Sequence, residues 1–467
     1  MRILKQYFIY FLGATITITL FSGCSPLKVI NPYSDINIYL TIGRNILDGG
    51  KLYTSLFDHK GPLLYFLYTI ACFISRNTFF GVYLIEIISL SIFLIYSDKI
   101  LKLIFNTKCE KYEIYLSLCA IIIVASNAFN IGGGTVEELF LPFFQITNYI
   151  CLNRIMKNDS FTPKDCILIG LFASISFLSK FTLSGYYLGV GICLIIYQFN
   201  KDRTKLLSCC EYTIFTFLLV FSITSIYFVI NHNFDDFINT YFIFNLFNYQ
   251  KNDSSLIIRL LKQFNQYLFY LKKDTIFVSL SLIGLATIFI KFKKSYESLF
   301  FFMTFIMWNT FTFAFCSTRY SYYVLPIAVY IIFVIVNFNN QITKLFIHLL
   351  YVCICLFDIY FYSNLASLNK DKNDYVQYDF INIIGDSSFL VYKGYDNGFY
   401  FVGNETPACK YFTKVNGYLS DYESSTSECI YDKQIEYIIS QTTDINLDNY
   451  YLLKEKDGFY LYKSNKS

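Results

Sequence analysis

The sequence predicts an all-α polytopic membrane protein of about eleven transmembrane helices, with a small extracytoplasmic α+β domain at its C-terminal end. Three observations predict it. Hydrophobic residues make up 55% of the 467 and charged residues only 15%, with a mean hydropathy of +0.43. The apolar residues come in long runs, and Lys and Arg sit in short clusters between them, the pattern of spans and positive-inside loops. From residue 370 onward the composition changes, with charge and turn residues separating short aromatic stretches. The same distribution gives no basic face for nucleic acid, although the formal net charge is +4.

Arg2 and Lys5 precede an apolar run at 7–21, which places the N-terminus in the cytoplasm and the loop 24–61 outside. Ser22-Gly23-Cys24 suggests a lipoprotein cleavage site, but Phe21 suits it poorly, and a polytopic chain can keep its first span as an uncleaved anchor. In the loop, Asp35 follows the helix breaker Pro32. Ile36, Tyr39, Leu40, Ile42, Ile46 and Leu47 then recur near helical spacing, which predicts a short amphipathic helix on the bilayer surface, ended by Gly49 and Gly50. Asp58, His59 and Lys60 stand just before Gly61 and Pro62, where apolar sequence resumes.

Counting both 63–75 and 79–97 as spans would put Lys99, Lys102, Lys108 and Lys111 outside. The reading adopted is therefore a short interfacial or re-entrant helix at 62–77 and a second span at 79–97. Further spans near 113–130, 136–153, 165–180, 182–199, 208–231, 275–292, 297–316, 320–338 and 343–361 keep the remaining basic clusters inside and the C-terminus outside. The outer loop 232–274 reads as one or two amphipathic helices covering a site, or as a plain connector. Residues 1–365 thus form the membrane domain and 370–467 the outer one. There 389–392, 398–401, 435–439 and 458–462 read as short strands. Cys409 and Cys429 are the only cysteines of that domain, and spacing alone leaves open whether they pair. The other Cys lack CxxC or His partners at metal spacing, and Gly132-Gly133-Gly134 lacks the Lys-Ser/Thr of a phosphate loop.

The polar patches at outer span ends combine Asp35, Asp58 and Lys60 with Glu137, Glu138 and Arg319. A carboxylate there can deprotonate a hydroxyl while Lys and Arg neutralise a phosphate leaving group, a pairing that suits transfer from a lipid phosphate. Each residue alone also reads as a span-end charge or interfacial anchor.

Ser34-Asp35, the helix with Gly43 and Asp48-Gly49-Gly50, Tyr53, and Asp58-His59-Lys60-Gly61-Pro62-Leu63 with Tyr65 resemble the first outer loop of the C-type glycosyltransferase superfamily. The resemblance is to its protein mannosyltransferase and aminoarabinose transferase-like branch. Thr135-Val136-Glu137-Glu138 resembles the branch's second acidic motif, Lys180-Phe181-Thr182 its Lys-containing span end, and Arg319-Tyr320 through Tyr323 and Pro326 its late Arg-Tyr segment. The resemblance implies inverting transfer of a sugar from a polyprenyl-phosphate donor to a glycan, lipid or protein acceptor on the outer face of a bacterial plasma membrane. It implies Asp35 as base or acceptor-orienting group and Glu137 or Glu138 as second acid. Asp58, His59, Lys60, Lys180, Arg319, Tyr320 and Tyr323 would bind substrate, with Lys60 and Arg319 on the donor phosphate. Lys60-Gly61-Pro62 departs from a Lys-Pro-Pro-like motif but keeps the charge and one proline. Relatives differ in metal dependence. A divalent cation, Mg or Mn, is the cofactor the resemblance leaves open, although Ile36 rather than a second acid after Asp35 argues against a tight site. A transporter, flippase or assembly protein for lipid-linked glycans is the alternative. Transporters carry ionisable groups near the midplane, whereas these acids cluster at span ends.

Overall fold

The computed structural model of the chain describes residues 2–105, 112–130, 132–249, 256–315, 320–336, 341–415, 417, 419, 422–445 and 447–465. The chain divides into two compact units, each discontinuous in sequence: 1–25, 83–223 and 253–365 form one, and 26–82, 224–252 and 366–467 the other. The first polar loop therefore belongs to the same unit as the C-terminal residues.

The first unit is helical. Among the described residues, Phe80–Phe105, Phe181–Lys201, Arg203–Ile230 and Lys344–Asn369 are long and apolar enough to cross a membrane, and shorter apolar helices such as Glu113–Ala125 and Thr275–Lys291 accompany them. Leu207, Phe215, Phe346 and Leu356 point outward, more than half exposed, as an apolar surface does when its solvent is lipid. Two expectations change. The helix expected at 79–97 runs on to Phe105, because Lys102 closes an i,i+4 pair with Asp98 at 2.7 Å and Gln6 also donates to Asp98, which makes the charged turn a good helix. The span expected at 320–338 is not one regular helix. Ser321–Ile327 and Ile332–Ile335 are 3-10 turns flanking Ala328–Ile331, with Pro326 inside the first removing a backbone donor.

In the second unit, Ser34–Leu47 is helical as predicted, but it is buried on all faces from Ile36 to Arg44 rather than amphipathic, and it packs on Pro62–Ile74. Pro62 begins the latter, where its missing N–H costs nothing. The loop expected to cover a site contributes Phe234–Phe237 and the π-helix Ile238–Asn248 to this unit, and Leu256–Lys273 to the other. A four-stranded sheet comprises β1 (Phe389–Val391), β2 (Tyr437–Ser440), β3 (Tyr450–Lys456) and β4 (Phe459–Ser464), in the order β1-β2-β4-β3. β1 runs parallel to β2, and the other pairings are antiparallel. Strand β3 was not foreseen: Tyr451, Leu452 and Leu453 are exposed, so no apolar face repeats with period two. The strand expected at 398–401 is instead the short helix Phe399–Val402. Asp396 Oδ1 accepts the Gly398 and Phe399 N–H groups at 3.0 and 2.8 Å, and Gly398 takes φ +105°, so the chain is capped into a helical turn. Arg44, 2% exposed, donates to the Tyr400 carbonyl at 2.7 Å and so ties the Asp35 helix to that turn. Cys409 and Cys429 form a disulfide.

Candidate functional site

In the second unit Asp35, Asp58, His59 and Lys60 line one narrow cleft with Ile38 and Phe57, whose further lining is Tyr395, Thr413, Lys414 and Val415. Asp35 lies in the first turn of its helix and accepts from Tyr39 Oη at 3.3 Å. The 58–60 turn is held from all sides. Asp58 Oδ1 takes the His59 N–H at 2.8 Å, and Asp58 Oδ2 takes Tyr65 Oη at 2.7 Å. Tyr53 Oη donates to the Lys60 carbonyl at 2.6 Å, and Asn245 Nδ2 to the His59 carbonyl at 2.7 Å. Such closure fixes charged side chains before a substrate arrives.

The His59 ring, tilted against Tyr249 with centroids 4.4 Å apart, bridges acid and cation: Nδ1 lies 3.2 Å from Asp58 Oδ1, and Nε2 lies 3.2 Å from Lys60 Nζ. An ammonium can only donate, so Nε2 is the acceptor and Nδ1 carries the proton. Burial first, and then the Lys60 charge, pull the imidazole's pKa below its ordinary value against the pull of Asp58. Burial works to raise Asp58, but His59, Lys60 and Tyr65 outweigh it and hold its carboxyl well below the usual range.

The first unit carries a second cluster. Glu137 and Lys180, 3% and 6% exposed, form an ion pair at 2.5 Å. Lys180 Nζ also lies over the Tyr322 and Tyr323 rings, 4.6 and 4.7 Å from their centroids. Both tyrosines sit on the broken segment Ser321–Ile327, and Tyr320 packs against each of them. Glu138 turns to different partners. Its Oε2 accepts the Thr135 N–H at 3.3 Å, and its carboxyl lies against that of Glu86. Glu86 also accepts from Ser22 Oγ at 2.8 Å and from the Gly134 N–H at 2.9 Å. Gly133, at φ +69°, is the residue this approach requires: a Cβ there would lie 2.2 Å from Ser22 Oγ.

The structure thus groups Asp35 with Asp58, His59 and Lys60, and Glu137 with Lys180 and Tyr323, while Glu137 and Glu138 part company. Arg319 lies outside the described residues. Sequence reasoning missed Tyr322 and Glu86. The signal for Glu86 was a single acid inside an apolar run, which is expensive in a membrane and therefore informative. Among the described residues no three His, Cys, Asp or Glu side chains converge as a metal-ligand set.

The sequence matches no protein-family model and no curated protein. Solved structures do match. ArnT from Cupriavidus metallidurans in the apo state superposes with a TM-score of 0.63 over 99% of this chain and 97% of that one, at 9% identity. The same protein bound to undecaprenyl phosphate gives 0.52 over 99% and 98%, at 11% identity. The archaeal oligosaccharyltransferase AglB from Archaeoglobus fulgidus, in complex with an inhibitory peptide and a dolichol-phosphate, gives 0.51 over 93% and 69%, at 12% identity. Both are C-type glycosyltransferases, and the fold of this chain is theirs.

Proposed function

We propose that the protein is a membrane glycosyltransferase that moves a sugar from a polyprenyl-phosphate donor to an acceptor nucleophile on the outer face of the membrane, with inversion. The acceptor oxygen attacks the anomeric carbon as the bond from that carbon to the phosphate oxygen breaks. Asp35 takes the acceptor proton, and the Lys60 ammonium neutralises the departing phosphate. Asp58 and His59 orient Lys60. In the first unit Glu137 holds Lys180 in place, and Tyr320 and Tyr323 belong to that cluster.

The observation that carries this reading is the shared cleft: a carboxylate and a lysine from one loop line the same concavity, in a chain whose full length follows the fold of a protein solved with undecaprenyl phosphate. Transfer of radiolabelled sugar from polyprenyl-phosphate donors tests it, using membranes containing the wild-type chain or Asp35→Asn. The variant keeps the shape but not the base, so transfer should fall by about 100-fold or more while the donor is still retained. Equal transfer by both proteins removes Asp35 from the chemistry.

A further inference from the structure

A second polar cavity lies within the first unit and shares no residue with either cluster described above. It measures about 270 Å³, and its lining includes Asn127, Lys272, Lys273, Asp274, Phe357 and Asp358. Three chain segments make it. Helix Glu113–Ala125 ends at Ser126, whose Oγ turns back to the Ile123 carbonyl at 2.6 Å. Helix Leu256–Lys273 ends at Asp274, whose Oδ2 accepts the Ala128 N–H at 3.1 Å, while Asn127 Nδ2 donates to the Lys273 carbonyl at 2.6 Å. The third segment, Gln341–Tyr362, brings Asp358.

Asp358 is the anomaly. It is 6% exposed on an otherwise apolar turn, and it makes no hydrogen bond or ion pair among the described residues. Its carboxyl has no partner among the described residues and lines the cavity, so a ligand there would supply one. Asp274 lines the same cavity, so the ligand's inner end is cationic and a hydrogen-bond donor. Lys272 and Lys273 are exposed at its edge, so the outer end is anionic. A bare metal ion would find too few ligands and leave most of the volume unused. Ile276, Phe357 and Tyr362, 37%, 46% and 48% exposed, add apolar surface beside the opening.

We propose that this cavity binds the headgroup of an ethanolamine phospholipid. The ammonium reaches Asp358 and Asp274, the phosphate meets Lys272 and Lys273, and the acyl chains lie along Ile276 and Phe357.

The test is native mass spectrometry of the full chain in mild detergent, with phosphatidylethanolamine or phosphatidylglycerol added at equal concentration. The ethanolamine lipid should be retained about tenfold or more over the glycerol lipid, and Asp358→Asn should bring that ratio near one. The surface pair Lys272→Gln with Lys273→Gln does not touch the core. It should weaken retention by a few-fold and decides the matter if Asp358→Asn does not fold. Equal retention of the two lipids overturns the proposal, as does a preference that survives both sets of changes. Soluble phosphoethanolamine should compete only at far higher concentration. If it binds as tightly as the lipid, the acyl chains contribute nothing and the lipid assignment fails.

Discussion

Lys60 and Lys180 are both lysines beside an acid, and the two units hold them by different means. Lys60 donates to a neutral imidazole that is itself held by a carboxylate, in a cleft. Lys180 is fixed directly on a carboxylate and closed over by two tyrosine rings. The first hold is weaker and titratable. The second is charge against charge in a buried place, where losing one partner strands the other. Under the proposed function, the contrast gives the 58–60 cluster a response to pH and the Glu137–Lys180 pair a part in the stability of the first unit.

The largest effect should come from breaking the buried pair. Lys180→Met leaves Glu137 charged and unmatched at 3% exposure and should cost about 3–5 kcal/mol, read as a lower midpoint in denaturant unfolding of the detergent-solubilised protein. Adding Glu137→Leu should recover much of that loss, since two apolar side chains can replace a buried ion pair. A single variant as stable as wild type would show that Lys180 does not neutralise Glu137.

The His59 hold should fail with acid. Burial lowers its pKa, so the folded imidazole stays neutral through the ordinary value of about 6.5 and protonates only below it. The unfolded chain takes the proton first, so this residue's contribution to stability falls as pH drops from about 6.5 toward the folded value. Transfer by the folded protein should fall only lower, as pH drops through the lowered folded value, because protonated Nε2 can no longer accept from Lys60. In His59→Gln the side-chain oxygen accepts at every pH. The acid limb should disappear while the rate at neutral pH changes by less than about tenfold. An unchanged limb in the variant would place the titration elsewhere. Asp98, Asp358, Asp396 and the Glu86–Glu138 pair are among the other buried acids such a profile would have to consider.

The same contrast explains what could be read before the fold was known. Asp35, Asp58, His59 and Lys60 lie within 26 residues of one another, so local order already suggested one site, and the helical spacing from Ile36 to Leu47 placed its first acid correctly. The second cluster draws Ser22, Glu86, Glu138, Lys180 and Tyr322 from five separate stretches. No periodicity links them, and each was legible only as a span-end charge, an interior acid or nothing at all. Local patterns misled where a capping side chain overrode them. Phe399-Tyr400-Phe401 looks like a strand until Asp396 and the left-handed Gly398 turn it into a helix. β3 hid because its exposed face carries Leu452 and Leu453. The six cations and acids from Lys99 to Glu113 marked a loop by charge, yet the i,i+4 pair of Asp98 and Lys102 carries the helix on to Phe105.

The smallest effect sharpens the comparison by holding the chemistry constant and removing the burial. Asp48 and Arg76, both in the second unit, form a two-pronged pair at 2.7 and 2.6 Å, tighter in geometry than most surface bridges, with side chains 38% and 41% exposed. Hydrogen bonding to Arg76 lowers the Asp48 pKa, yet water competes for both groups and salt screens them. Asp48→Asn should therefore cost less than about 1 kcal/mol, and the cost should shrink further in about 1 M salt. Lys180→Met should keep its full cost in the same buffer, because no salt reaches a pair covered by Tyr322 and Tyr323. If both variants lost stability equally and with the same salt dependence, exposure would not be what separates the two pairs, and the stability role given to Glu137 and Lys180 would fall with it.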